Sequence, residues 1–239
     1  MLDISPYFVG LWLGDGFLSL NMGKYWKFGI VCSEFNYDEI YSIVKPTRVK
    51  EYQMKNGKYK YFELFTGDKE LTGYLLENCG SNARDKHLPG NVSREQFWEL
   101  LSGLIDSDGT VDSKSYSMSL LNSNKRIIDD VCSKLDEYDI GYSVSVRKSR
   151  KDIWADIYVV RFQNSDLCKM NLNLRVGYKK EAFEFLKEHS KRFIEITDEQ
   201  FQKNKEYLKS VLSRSTFYFF DTGKRKKRVT EEIYKHMIV

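Results

Sequence analysis

The sequence predicts an α+β fold written twice in one chain: two antiparallel sheets, with a pair of apolar helices meeting between the halves. Three observations predict it. An apolar stretch ending in Asp-Gly occurs at residues 8–16 and again at 101–109. Each is followed by period-two alternation of apolar and polar residues, the pattern of half-buried strands. The separation of Asp15 from Lys86, 71 positions, recurs between Asp108 and Lys179. The repeat divides the chain into halves at 1–92 and 93–190, and leaves 191–239 as a helical extension with a basic run.

In chain order, Ser5-Pro6 supplies an N-cap and a favoured first helical residue for the first apolar helix. A polar turn at 19–23 precedes a strand at 25–32, where Trp26, Phe28 and Ile30 alternate with Lys27, Gly29 and Val31. A short helix over 37–44 stops before Pro46. Strands at 48–54 and 58–66 form a hairpin across Asn56-Gly57, a strong turn signal. In the first of them Arg48, Lys50, Tyr52 and Met54 share a face, and in the second Lys58, Lys60, Phe62 and Leu64 do. A helix over 68–78 and the segment 84–89 lead to Ser93 and Gln96, a capping box opening the second apolar helix. The second half repeats this plan. A strand at 115–121 is followed by an amphipathic helix at 123–138, strands at 141–148 and 154–162, a helix at 165–172, and the segment 175–180.

The aspartates are the unusual residues. A helix C-terminus carries partial negative charge, so a carboxylate there is repelled, and two such acids in matching places imply that something positive sits beside them. Gly10 and Gly14 are four apart, as are Gly103 and Ser107. A mid-helix glycine costs about 1 kcal/mol relative to alanine. The reason here is close approach of two backbones, a geometry best documented in membranes. Parallel packing of the two helices would bring Asp15 and Asp108 side by side as an oxygen site for a divalent cation. The glycines that follow, Gly16 and Gly109, are expected to end the helices in the left-handed conformation.

These stretches resemble the LAGLIDADG motif of homing endonucleases. Residues 101–109 differ from the eponymous nonapeptide only by Ser at Ala positions; in residues 8–16, Leu13 replaces the first Asp and Gly14 replaces Ala. Two copies are similar to the monomeric, pseudo-symmetric, intein-type branch. The resemblance implies two αββαββα-like halves with saddle-shaped sheets and the motif helices, with Gly10, Gly14, Gly103 and Ser107, at their interface. It also implies metal binding by Asp15 and Asp108 beside Gly14 and Ser107, and a basic residue in each half near the reaction centre. Lys86, within Lys-His-Leu-Pro, matches the corresponding Lys-x-x-Pro segment, and Lys179 is its counterpart by spacing, with Lys180 as the rival. Asp106, which has no partner in the first copy, is assigned by the resemblance to the interface and folding. The implied activity is a metal-dependent double-strand break in a long asymmetric DNA target, with Mg²⁺ (or Mn²⁺) as cofactor and double-stranded DNA as partner. An RNA intron maturase and a non-cleaving DNA-binding regulator are the alternatives.

The strand faces supply a candidate DNA surface: Lys24, Lys27, Arg48, Lys50, Gln53, Lys58 and Lys60 in the first half; Arg147, Lys148, Arg150, Arg161 and Gln163 in the second. Arg and Lys read guanine edges and Gln reads adenine, while the remainder neutralise phosphates. Asn122 and Asn164 are further candidates for positioning water or bases. Strands of nine residues span about 30 Å, so two sheets end to end would cover roughly 60 Å.

Bulk properties agree with this class. The 239 residues are 41% hydrophobic and 30% charged, with net charge +4. No apolar run approaches the ~20 residues of a membrane span, and no leader precedes Ser5, so an intracellular protein with no membrane partner is expected; the resemblance implies a monomer with no small-molecule cofactor. Cys32, Cys79, Cys132 and Cys168 are far apart, which argues against zinc and for reduced, buried thiols. Beyond 190, a single amphipathic helix over 198–213 and the basic run 224–228 are expected, the run lying near DNA.

Overall fold

A computed structural model describes residues 4–21, 25–54, 57–149, 155–189, 193–223 and 227–237. They form two units, Met1–Glu188 and His189–Val239.

The first unit carries one arrangement twice. Helix α1 (Pro6–Asp15) runs into β1 (Gly16–Asn21), followed by β2 (Tyr25–Ser33), α2 (Tyr37–Val44), β3 (Arg48–Gln53), β4 (Lys60–Thr66) and α3 (Lys69–Cys79). The second pass is α4 (Arg94–Asp108), β5 (Gly109–Asp112), β6 (Ser117–Asn122), α5 (Lys125–Glu137), β7 (Tyr142–Arg147), β8 (Ile157–Phe162), a 3-10 turn (Asn164–Lys169) and α6 (Gly177–His189). The sheet orders correspond: β1-β2-β4-β3 and β5-β6-β8-β7, with antiparallel pairings throughout. The fold is α+β, and the duplication is physical as well as textual.

Helix α1 is apolar on nearly all sides because it is buried on nearly all sides, from Tyr7 to Leu13. It packs parallel against α4. A Cβ on Gly10 would overlap the Leu100 carbonyl and lie 3.0 Å from the Leu104 nitrogen; one on Gly103 would strike the Tyr7 carbonyl and lie 2.6 Å from the Leu11 nitrogen. Only glycine admits this backbone contact. One core surrounds the pair, drawing Phe28, Ile30 and Leu64 from the first sheet and Met118, Leu120, Val160 and Phe162 from the second.

Three expectations are corrected. Gly16 and Gly109 are extended, not left-handed, at φ −85° and −90°. They are glycines for lack of room, since a Cβ at Gly16 would meet the Trp12 ring and one at Gly109 would lie 2.6 Å from the Ile105 carbonyl oxygen. Each therefore opens a strand at once, so β1 occupies part of the expected turn at 19–23 and β5 is an unforeseen element. The helix expected at 165–172 is a 3-10 turn over Asn164–Lys169.

The second unit consists of β9 (Phe193–Glu195), α7 (Asp198–Lys203), α8 (Lys205–Val211), α9 (Arg214–Asp221), β10 (Arg228–Thr230) and α10 (Glu231–Lys235), with β9 and β10 paired antiparallel. It has a core of its own around Phe201, Leu208, Phe220 and Val229. The single helix expected over 198–213 is broken at Asn204, whose side-chain amide donates to the Gln200 carbonyl at 2.9 Å. Of the four thiols, Cys32 and Cys79 are buried and Cys168 is exposed; no disulfide links them. Among the described residues no helix is long and apolar enough to cross a membrane.

Candidate active site between the paired helices

The close packing of α1 on α4 places their C-termini together. At Gly14 an added Cβ would overlap the Ser107 hydroxyl and lie 3.2 Å from the Asp108 carboxyl carbon. The Ser107 hydroxyl turns back to the Gly103 and Leu104 carbonyls, 3.1 Å from each. Asp15 and Asp108 thus end adjacent helices, close enough for the charge of Asp15 to act on Asp108.

Two lysines supply the positive charge that the helix ends require. Lys86, on the loop after α3, is 4% exposed and donates to the carbonyls of Trp12 at 2.7 Å, Leu13 at 3.2 Å and Gly16 at 2.6 Å. Lys179, 5% exposed, donates to Ile105 and Asp106 at 2.8 Å each. Each ammonium therefore sits on the C-terminal carbonyls of a motif helix, where Trp12 and Ile105 also accept from the Gly16 and Gly109 backbone N–H. The implied positive partner at the helix ends is thus a side chain in both halves, and the ammonium of Lys86 has no hydrogen left over for another acceptor. Lys179 stands in the first turn of α6 rather than in a loop; Lys180 is exposed.

Electrostatics follow from burial. Desolvation pushes Asp15 up to about 6, against the pull of Lys179 and Lys86. It pushes Asp108 up to about 7, assisted by the charge of Asp15 and opposed by Asn122 and the two lysines. Burial likewise lowers Lys86 to about 8, with Asp108 and Asp15 opposing, and lowers Lys179. Burial thus pushes all four groups toward their neutral forms, and the attraction between acids and lysines pulls them back. A cavity of about 360 Å³, lined by Gly14, Lys86, Asp108 and Asn122 among others, opens beside them.

The halves are not chemically equal. Asn122 donates to Asp108 at 2.6 Å. Gly16 pairs with Ile30 and Gly109 with Leu120, so two residues further along each strand Cys32 corresponds to Asn122. The Cys32 thiol is pushed up to about 12 by burial and by the charge of Asp15. Asp106, fully buried, accepts from the Tyr7 hydroxyl at 2.6 Å and from the backbone of Arg175 at 2.7 Å and Val176 at 3.3 Å. It ties the start of α1 to the approach to α6. The Lys86 loop is held across the halves: Asn124, the N-cap of α5, donates to the carbonyls of Ala83 at 3.0 Å and Lys86 at 2.8 Å, while Asp130 accepts from the Leu88 backbone at 3.0 Å.

Among the described residues no group of three His, Cys, Asp or Glu side chains is placed to hold a metal. The donor set is the carboxylates of Asp15 and Asp108. Oxygen-only chemistry suits a hard divalent cation with water or a ligand completing its shell. Their raised pKa values also fit, because a cation between them would offset the desolvation that raises both and the charge of Asp15 that raises Asp108 further.

Register assigns the strand residues to faces. Core residues Ile30 and Leu64 are paired, which places Phe17, Lys27, Gly29, Arg48, Lys50, Tyr52, Glu63 and Phe65 on the opposite face of the first sheet. In the second sheet the pairing of Leu120 with Val160 puts Ser119, Leu121, Arg147 and Arg161 opposite the core. Lys60 and Gln53 are paired with one another on the side of Phe62 and Leu64, a correction to the expected surface. Lys60 is ion-paired to Glu51 at 2.6 Å, and Gln53 donates to the Gly57 carbonyl at 3.0 Å within its own hairpin. Lys58 precedes β4 and Lys148 follows β7, the latter paired with Asp156 at 2.6 Å. The Gln163 backbone donates to the Gly141 carbonyl at 2.8 Å at a strand end, and the Asn164 amide bonds the Tyr116 carbonyl. Lys24, Asn56 and Arg150 lie outside the described residues. Lys50 sits 4.9 Å over the Phe65 ring and 3.8 Å from Glu63, so the face is aromatic and mixed in charge rather than uniformly basic.

A family model described as a LAGLIDADG-like domain matches residues 96–189. Residues 96–189 therefore carry a LAGLIDADG-like domain. The motif helices are α4, within the match, and α1, the copy that stands against it. No curated protein matches the chain. Among solved structures, the LAGLIDADG meganuclease I-AabMI bound to uncleaved DNA is similar at 12% identity over 98% of this chain and 99% of that one, with a TM-score of 0.47. The homing endonuclease I-DmoI, in complex with DNA and Ca, is 15% identical over 74% and 96%, also at 0.47. The full-length DUF199/WhiA protein of Thermatoga maritima is 11% identical over 90% and 70%, at 0.46.

Proposed function

We propose that this protein is a site-specific LAGLIDADG homing endonuclease that hydrolyses both strands of a long, asymmetric DNA duplex. The observation that carries the reading is the pair Asp15 and Asp108 at the ends of helices packed backbone to backbone, with no other carboxylate needed to make an oxygen site. Asp15 and Asp108 would hold Mg²⁺ or Mn²⁺. When bound, the metal supplies charge neutralisation at the scissile phosphate and a water of lowered pKa. Lys86 and Lys179 fix the helix ends and offset the acids' charge, and Asn122 orients the Asp108 carboxylate.

Arg48, Lys50 and Lys27 from one sheet and Arg147 and Arg161 from the other would contact the duplex. Strands β3, β7 and β8 have six residues each, about 20 Å apiece. Two such lengths correspond to roughly 12 base pairs at ~3.4 Å each, a shorter sheet footprint than nine-residue strands imply.

The test is selection and cleavage of a randomised duplex library with Mg²⁺, comparing wild type with Asp15→Asn and Asp108→Asn. Defined double-strand ends from wild type, lost or reduced to nicks in the variants, support the reading. Selection of a site that is never cut assigns the chain to the non-cleaving regulators. Binding of structured RNA in preference to duplex assigns it to the maturases.

A further inference from the structure

The charge of the chain is segregated by unit. Residues 189–239 contain twelve Lys and Arg against seven Asp and Glu, net +5, whereas residues 1–188 contain 26 against 27, net −1. The whole chain's +4 therefore resides in its last 51 residues. A polyanion is bound largely through neutralised phosphates, yet the unit bearing both sheets has no positive excess. Its surface lysines are partly committed as well, Lys60 to Glu51, Lys125 to Asp129 and Lys148 to Asp156.

Among the described residues of the second unit, two of its cations, Lys209 and Arg214, stand at one corner. Between α8 and α9 the chain turns through Leu212 and Ser213, with Ser213 capping α9 through the Thr216 backbone. Lys209 and Arg214, on either side of that turn, are exposed. Tyr218, one turn beyond Arg214 on α9, is 52% exposed, and Val211 is 43% exposed. The inner sides of the same helices bury Leu208 and Phe220 in the unit's own core. A cationic corner with a projecting phenol is chemistry suited to phosphates: Lys as point charge, Arg as bidentate fork, Tyr as hydroxyl donor.

We propose that the unit His189–Val239 is a second duplex-DNA contact, which grips the phosphate backbone without regard to sequence through the α8–α9 corner formed by Lys209, Arg214 and Tyr218. It rests on the reading that the chain acts on duplex DNA. It supplies the salt-dependent part of the affinity, while the sheets of the first unit select the site. Charge complementarity and the near-neutral first unit together assign duplex DNA as its occupant.

The test uses the full chain and a random-sequence duplex, with affinity read by fluorescence anisotropy from ~50 mM to ~200 mM NaCl. Lys209→Gln with Arg214→Gln is expected to weaken binding several-fold and to reduce the slope of log affinity against log salt by about two. The charge-keeping pair Lys209→Arg with Arg214→Lys is expected to restore both. A neutral variant with the wild-type slope overturns the proposal, as does a charge-keeping variant as weak as the neutral one. Wild type that prefers single-stranded RNA or anionic phosphatidylserine vesicles to duplex also overturns it. Cleavage of a selected target separates the readings: cleaved DNA with an unchanged slope removes this inference alone, and no duplex binding by any form removes the endonuclease reading with it.

Discussion

Lys86 offers its three hydrogens to three carbonyls. Lys86→Met removes the ammonium from all three; the Trp12 carbonyl keeps the Gly16 N–H, while those of Leu13 and Gly16 lose a buried donor, a loss of about 1–3 kcal/mol each when unsatisfied. The expected loss is about 3 kcal/mol of stability, read as a lower midpoint in urea denaturation. Lys180→Met, at an exposed position, is expected to change stability by less than ~0.5 kcal/mol. The acids give the opposite sign. With folded pKa values near 6 and 7 against 3.8 when unfolded, Asp15 and Asp108 hold protons in the native state that the unfolded chain has released. The metal-free protein is therefore expected to lose stability as pH rises from about 4, the unfolded value, through about 7, the higher of the two folded values. Asp108→Asn should flatten that slope, and saturating Mg²⁺ should flatten it in wild type; denaturation at a series of pH values checks both. At this scale the sequence is informative about partners by spacing and silent about partners by contact. The recurrence of 71 positions links Asp15 to Lys86 and Asp108 to Lys179. The amide of Asn122 on Asp108, the thiol of Cys32 near Asp15, and the bond from Tyr7 to Asp106 depend on strand register and helix crossing, which no local pattern encodes.

Helices α1 and α4 are defined by what they lack. Gly10→Ala would force a methyl into the Leu100 carbonyl, and an overpacked helix contact costs about 1–3 kcal/mol. Gly73→Ala is the contrast, because a Cβ there meets nothing within 4 Å along α3. It is expected to stabilise by about 0.5–1 kcal/mol, since alanine is the better helix former. Thermal unfolding of the two variants should move in opposite directions. The apolar runs and the capping box at Ser93 make these helices legible. Strands β1 and β5 are not, because each begins on the glycine that ends a helix and has little room for alternation. The face of Lys60 was legible in principle: Phe62 and Leu64 lie on the same side, and their burial decides which way Lys60 points.

For the whole molecule, one sheet order occurs twice with different side chains on its open faces, aromatic around Phe17, Tyr52, Tyr61 and Phe65 in the first half and smaller around Ser119, Ser143 and Ser145 in the second. On the endonuclease reading, Arg48→Ala is expected to relax base preference in one half of the target and Arg161→Ala in the other. Each should cost about 1–3 kcal/mol of discrimination if its arginine reads a base edge, measured by sequencing cleaved members of a randomised library.

The loop that carries Lys86 belongs to the first half by sequence, but Asn124 and Asp130 of the second half hold it in place. Whoever recombines such proteins by grafting residues 1–92 onto a foreign partner would bring across the key without its keyhole. Interchangeable parts are those whose fasteners travel with them, and here the amide of Asn124 and the carboxylate of Asp130 are the pieces to carry over.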